Sequence, residues 1–138
     1  NILLSGLYRF RILNEIKGKI YRQAQVEFLK EINDKDLTSE PSPIKEKIIR
    51  VMRLYLKNLP EGTKIEQALD IKNCCKLGEF VDKLTHHFDL PVNKMQEFLE
   101  QQDVQKRADS LNSLIEFKNQ LIQISKNMGG REIDFSMN

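Results

Sequence analysis

Histidine and cysteine are both scarce in this chain, and no apolar stretch in it is long. It carries two histidines, His86 and His87, and two cysteines, Cys74 and Cys75, each pair adjacent. On a helix such neighbours point about 100° apart. Adjacent cysteines do not readily close a disulfide, so the pair reads as reduced structural thiols in a cytoplasmic protein. The histidines have no cysteine or acidic pair at metal-ligand spacing. Asp82 lies four residues before His86 and reads as a helix-surface neighbour, so no metal site is expected. The apolar runs fall short of the roughly 18–20 residues that cross a bilayer. The opening Asn1-Ile2-Leu3-Leu4-Ser5 has neither an initiator Met nor a signal-peptide pattern. Sequence before Asn1 is therefore expected, and a membrane partner is not.

Reactive motifs are lacking too. None of the seven serines (Ser5, Ser39, Ser42, Ser110, Ser113, Ser125, Ser136) sits in a G-x-S-x-G turn. Gly129-Gly130-Arg131 has no Lys-Ser/Thr ending to reach nucleotide phosphates. Glu97 with Glu100, or Glu15 with Glu27, could be paired carboxylates, but nothing places them in a shared dry cleft. The expectation is a segment with no catalytic residue and no cofactor site of its own.

Charge excludes another class. Twenty-two basic residues face twenty acidic ones, for a formal net charge of +2. Lys45, Lys47, Arg50, Arg53 and Lys57 cluster, but they alternate with an apolar helical face and read as its solvated side. A nucleic-acid partner wants basic residues gathered into a stripe and is not expected here.

What is present is a change of period. Tyr8, Phe10 and Ile12 share one face of a strand, with Arg9 and Arg11 on the other, the alternation of a half-buried strand. Ile20, Arg22, Ala24, Val26 and Phe28 share a face of a second strand, and residues 14–19 make a turn around Gly18. An antiparallel hairpin is predicted. A lone hairpin is marginal in water, so partner strands are expected upstream.

After a polar connector the pattern turns helical. Ser42 and Pro43 suit an N-cap and first helical position, and Ile44, Ile48, Val51, Met52, Tyr55, Leu56 and Leu59 follow on one face. Pro60 and Gly62 stop this helix. A short helix is predicted near Lys64–Leu69, and a further one from about Asn73 to Phe88 with Leu77, Val81, Leu84 and Phe88 inward. Pro91 breaks the chain, and Asn93 is expected to cap a brief helix bearing Met95, Phe98 and Leu99. Asp103 caps the longest helix, whose stripe runs through Val104, Ala108, Leu111, Ile115, Ile122 and Ser125, widened by Leu114, Leu121 and Met128. Its first half reads as core. Its length implies that it projects beyond the body or that the fold continues along it, and beyond Lys118 its near-3.5-residue spacing also suits a partner helix. Gly129-Gly130 ends or kinks it.

The predicted fold class is α+β, predominantly α. An antiparallel β-hairpin occupies residues 1–32, a linker 33–43, a helical bundle with a long C-terminal helix 44–128, and a tail 129–138.

The order of short motifs resembles the Lon ATP-dependent protease N-terminal domain, specifically its C-terminal part. Gly6-Leu7-Tyr8-Arg9-Phe10-Arg11-Ile12 is similar to that family's G-x-x-R-x-x-(I/V) strand, and Ala24-Gln25-Val26-Glu27-Phe28-Leu29 to its A-x-V-E-x-L strand. Asp70-Ile71-Lys72-Asn73 followed by Lys76-Leu77-Gly78-Glu79-Phe80-Val81 resembles a helix around (K/R)-L-A-D-x-(I/V), with Gly78 where Ala is usual. The run from Leu90 to Glu100 is similar to L-x-x-x-x-K-Q-x-L-L-E, though Lys94 and Gln96 stand apart. Asp103-Val104-Gln105-Lys106-Arg107 matches a D-V-x-x-R opening. The tail Gly129-Gly130-Arg131-Glu132 interrupts what is usually a continuous basic helix.

The resemblance implies a non-catalytic substrate-recognition and assembly segment, ending a β-rich lobe and containing a helical lobe. It also implies a hexameric parent active in protein quality control, whose ATP, Mg2+ and Ser-Lys pair belong to sequence outside these residues. Unfolded or damaged proteins and further copies of the chain would be its partners. Phe88, Leu90, Met95 and Phe98, around Pro91, are the candidate apolar contact surface. The alternative is a stand-alone interaction module of the same kind without a protease attached.

Overall fold

A computed structural model describes residues 6–59 and 74–129. Its elements are β1 (Phe10–Ile16), β2 (Gln23–Phe28), α1 (Pro43–Asn58), α2 (Leu77–His86), α3 (Val92–Glu100) and α4 (Val104–Asn127). The fold is α+β and predominantly α, a two-stranded antiparallel sheet followed by helices. The short helix predicted near Lys64–Leu69 lies outside the described residues, as do the chain's first five residues and its tail beyond Gly129. Among the described residues, no helix is long and apolar enough to cross a membrane.

The hairpin pairs Phe10 with Phe28 and Ile12 with Val26, then a bulge at Leu13 shifts the register so that Asn14 meets Gln25 and Ile16 meets Gln23. The bulge lets β1 continue through residues 14–16, where a turn was expected. The connection spans 17–22 instead, with Gly18 at φ +91° and Ile20 fully exposed. Both strands face solvent. Alternation pointed to burial of the Tyr8/Phe10/Ile12 face, but these side chains are exposed, and it is Arg9, on the opposite face, that turns onto the helices. A period of two separates faces without saying which one packs.

Ser42 caps α1 by accepting from the Lys45 amide, and Pro43 opens the helix. Leu59 is extended at φ −85°, ψ 155°, as the residue before a proline tends to be. Ile48 and Met52 are buried, and Ile44, Val51, Tyr55 and Leu56 pack at the core's margin. The helix after Cys75 begins at Leu77, later than expected, because its first turn is capped from outside. Asp34 Oδ1 accepts the Gly78 amide at 2.8 Å, and Leu77 donates to the Lys35 carbonyl. Residues 33–37, expected as linker, are thus stitched to the helices. Asn33 takes φ +57° and donates to Asp103 Oδ2, reversing the chain there.

Asp103 caps α4 through the Gln105 and Lys106 amides, and Gly129 at φ +76° ends it. At 24 residues α4 is about 36 Å long. It does not project beyond Lys118. Lys47 with Glu116, Val51 with Asn119, and Asn58 with Lys126 show α1 running parallel beside it to its last turns. Lys118, Asn119 and Ile122 are buried. The core gathers Ile48, Met52, Leu77, Phe80, Val81, Leu84, Val104, Ala108, Leu111 and Ile115 between α1, α2 and α4.

Candidate interaction surface

Helix α3 stands apart from the other helices. None of its residues is buried, although its sequence is amphipathic. Val92 is 85% exposed, Leu99 53% and Met95 39%, with Phe98 half-buried against the core. At steps of three and four these three make one apolar stripe turned to solvent. The helix begins at Val92 with Pro91 as its N-cap residue, so Asn93 lies within the first turn instead of capping it. Proline's fixed φ suits the entry, and the Pro91 carbonyl accepts the Met95 amide.

Of the four expected contact residues, the structure leaves Met95 and Phe98 at the surface. Phe88 is 4% exposed and stacks against Tyr55 at 5.6 Å, and Leu90 is 9% exposed. Both belong to the core. Val92 and Leu99 take their place on the accessible face. Steps of three and four from Met95 reach both, a helical signal that the Pro91 break does not carry. An open depression of about 400 Å3 lies beside the C-terminal end of α3, lined by Glu97, Phe98, Glu100, Gln101, Arg107 and Ser110. Glu97 and Glu100 thus share a wall, but Glu97 is bound by Lys94 and Glu100 by Gln96, which leaves an open acidic rim and no dry catalytic pair.

Behind α3 lies a cluster of four charges that sequence reading missed. Arg9 Nη1 donates to the Leu99 carbonyl at 2.6 Å and the Phe98 carbonyl at 3.2 Å, its Nη2 to Asp82 Oδ2 at 2.6 Å, and its Nε to Glu31 Oε1 at 3.1 Å. Arg107 is fully buried. It donates to Glu31 Oε1 at 2.5 Å and to the Gln101 carbonyl at 2.9 Å. Its Nε lies 3.1 Å from Asp82 Oδ1, close enough for an ion pair but misaligned for a hydrogen bond. Two guanidiniums therefore collect the carbonyls at the negative end of α3, balanced by two carboxylates.

Electrostatics follow from the packing. Burial raises Glu31, but the Arg107 hydrogen bond and the charges of Arg107 and Arg9 outweigh it, leaving the carboxyl below its ordinary value. At Asp82 burial wins over the same two cations, and its carboxyl lies above the usual value. Gly78 sits against this cluster, where an added Cβ would come 3.0 Å from Glu31 Oε2 and 3.1 Å from Arg107 Nη2.

The remaining sequence candidates are dispersed. Asp82 is engaged by arginines, while His86 lies edge-on to His87 at 5.9 Å. Cys74 is buried, and burial pushes its thiol up. Among the described residues, no three of His, Cys, Asp and Glu gather as metal ligands. Lys47, Arg50, Arg53 and Lys57 lie on the exposed side of α1.

The family described as the ATP-dependent protease La (LON) substrate-binding domain matches residues 1–116. The chain is 28% identical over 134 residues to "Lon protease" of Paraburkholderia phytofirmans and 22% identical over 130 residues to "Lon protease" of Brevibacillus choshinensis. In each case the alignment covers 94% of this chain and 16% of the relative, so the chain spans about one-sixth of their length.

Proposed function

This chain belongs to the LON substrate-binding domain family, and from that premise we propose that it is a non-catalytic recognition segment that holds apolar stretches of unfolded or damaged proteins for an ATP-dependent protease. The observation that carries this reading is the α3 stripe of Val92, Met95 and Leu99, an apolar helix face left uncovered beside an acidic-rimmed depression. Packed domains rarely leave such a face open without a use for it. A shallow, mobile-side-chain surface with a methionine at its centre suits many apolar sequences and selects none strongly.

ATP and Mg2+ would serve the parent protein through other segments. The described glycines do not fit a phosphate cradle. Gly78 opens α2, but its amide is taken by Asp34, whose charge would repel a phosphate. Proteolysis by a Ser-Lys pair, hexamer assembly, a cytoplasmic location and a role in quality control belong to the same proposal for the parent. In a protein of the relatives' length, further strands of a β-rich lobe would cover Tyr8, Phe10, Ile12, Val26 and Phe28.

Titration of the 138-residue chain with unfolded casein tests the recognition role. Weak binding is expected, and Met95→Asp with Leu99→Asp should abolish it while circular dichroism stays unchanged. No binding by the parent chain at high concentration, or undiminished binding by the double variant, would reject the surface.

A further inference from the structure

We propose that Arg9 is the positioning residue that docks α3 on the body, so that the hairpin sets the orientation of the exposed stripe. The role of the stripe rests on the proposed function above, while the docking itself does not.

A nine-residue helix such as α3 is short for stability on its own. Without a buried residue it takes little from the core, where only Phe98 reaches the margin. Something else must hold it, and the contacts at its last turn are specific. Four carbonyls at a helix C-terminus lack intrahelical partners. Gln101 takes the Glu97 carbonyl, Arg9 takes those of Phe98 and Leu99, and Arg107 takes that of Gln101 just beyond.

The two arginines differ in origin. Arg107 lies on α4 and is fixed by its own helix. Arg9 comes from the foot of the hairpin, 90 residues before Leu99. Its neighbour Leu29 donates to the Arg9 carbonyl, so the side chain is launched from a paired backbone. Glu31 and Asp82 flank it and keep its fork aimed. A guanidinium can serve Glu31, Asp82 and two carbonyls in one plane, whereas an ammonium cannot. Movement of the hairpin would therefore draw on α3 directly.

Hydrogen exchange of the full chain separates this from a general stabilising role. In Arg9→Ala, the amides of Met95–Gln101 should lose roughly tenfold or more protection, with those of α4 around Leu111–Ile115 unchanged. Arg9→Lys should restore part of the loss, and Arg11→Ala, on the same strand face but without these contacts, should show none. Unchanged protection of α3 in Arg9→Ala would overturn the inference, as would an equal loss in α3 and α4. Casein titration of the same variants reads the other proposal. If α3 loosens while affinity stays the same, docking by Arg9 stands and the stripe is not the binding surface.

Discussion

At the scale of single residues, Arg107 has the most to lose by substitution. It is wholly buried among two carboxylates and a carbonyl. Removing it leaves Glu31 and Asp82 facing each other with only Arg9 between them. Those carboxylates keep 30% and 44% of their side-chain surface in solvent, which moderates the penalty. Arg107→Ala should cost about 2–4 kcal/mol by urea denaturation, and Arg107→Lys about half as much, because lysine loses the fork. Gly78 gives a second prediction. A valine there must push its methyls into Glu31, Arg107 and Asp34 and should cost about 1–3 kcal/mol. Alanine's single Cβ meets the ends of the same three side chains at 3.0–3.2 Å, which a shift of a few tenths of an ångström relieves, and it gains helix propensity, so Gly78→Ala should cost less than valine does, about 1 kcal/mol or below. Gly78 stands where the family's motif usually has Ala. The reason for tolerating it lies across the fold, in side chains 47 and 29 residues away (78 − 31 and 107 − 78).

At the scale of elements, local signals were legible where the chain itself supplies them. Ser42-Pro43 opens α1, Asp103 opens α4 and Gly129 closes it. The two side-chain caps should not be equal. Asp103 accepts two amides at 3.0 and 3.2 Å and also binds Asn33, whereas Ser42 accepts one at 3.4 Å. Asp103→Ala should therefore lower the melting temperature more than Ser42→Ala does, and equal losses would show that the Asn33 contact carries nothing. Legibility failed where the determinant is distant. The start of α2 depends on Asp34, and the burial of Lys118 and Asn119 depends on α1 running parallel alongside. Helical periodicity marks an apolar face, but it does not say how far a neighbour extends. The four-charge cluster was invisible for the same reason. Arg9 and Arg107 belong to two motifs far apart in the chain, and their convergence needs the fold.

At the scale of the whole molecule, acid should act through that cluster, and the signs of its two carboxylates differ. The folded chain holds Glu31 below its ordinary 4.5. Its contribution is therefore full above that value and is lost as pH falls through the lower, folded one. Asp82 is held above its ordinary 3.8, so it favours the fold when protonated, and that contribution fades as pH rises through its folded value. Below pH 4.5 the two work against each other. Glu31→Gln removes the cluster's acid-labile partner and leaves Asp82 as its one titrating carboxyl. The variant should be less stable at pH 7 and should show a shallower fall in stability between pH 4.5 and 3, the remainder coming from Asp36, Glu79 and Asp103, which are also held below their ordinary values. A fall as steep as that of the parent chain would place the acid sensitivity elsewhere.

The same joint divides the molecule mechanically. The hairpin pairs with itself, exposes both faces, and meets the helices through Arg9, Glu31 and the short pairing of Ile32 with Gln102 and Val104. The helices, by contrast, share a continuous core. Two strands without a covered face are marginal, so the hairpin should open far more often than α2 or α4. Trypsin supplies the measurement, because Lys17, Lys19 and Arg22 lie in the hairpin's connection. Cleavage at these three positions should precede any cleavage within α2 or α4. In Arg9→Ala it should accelerate further, since the foot of the hairpin is then released. Cleavage inside α4 first would mean that the helical core is the weaker part, and the division drawn at Arg9 would be wrong.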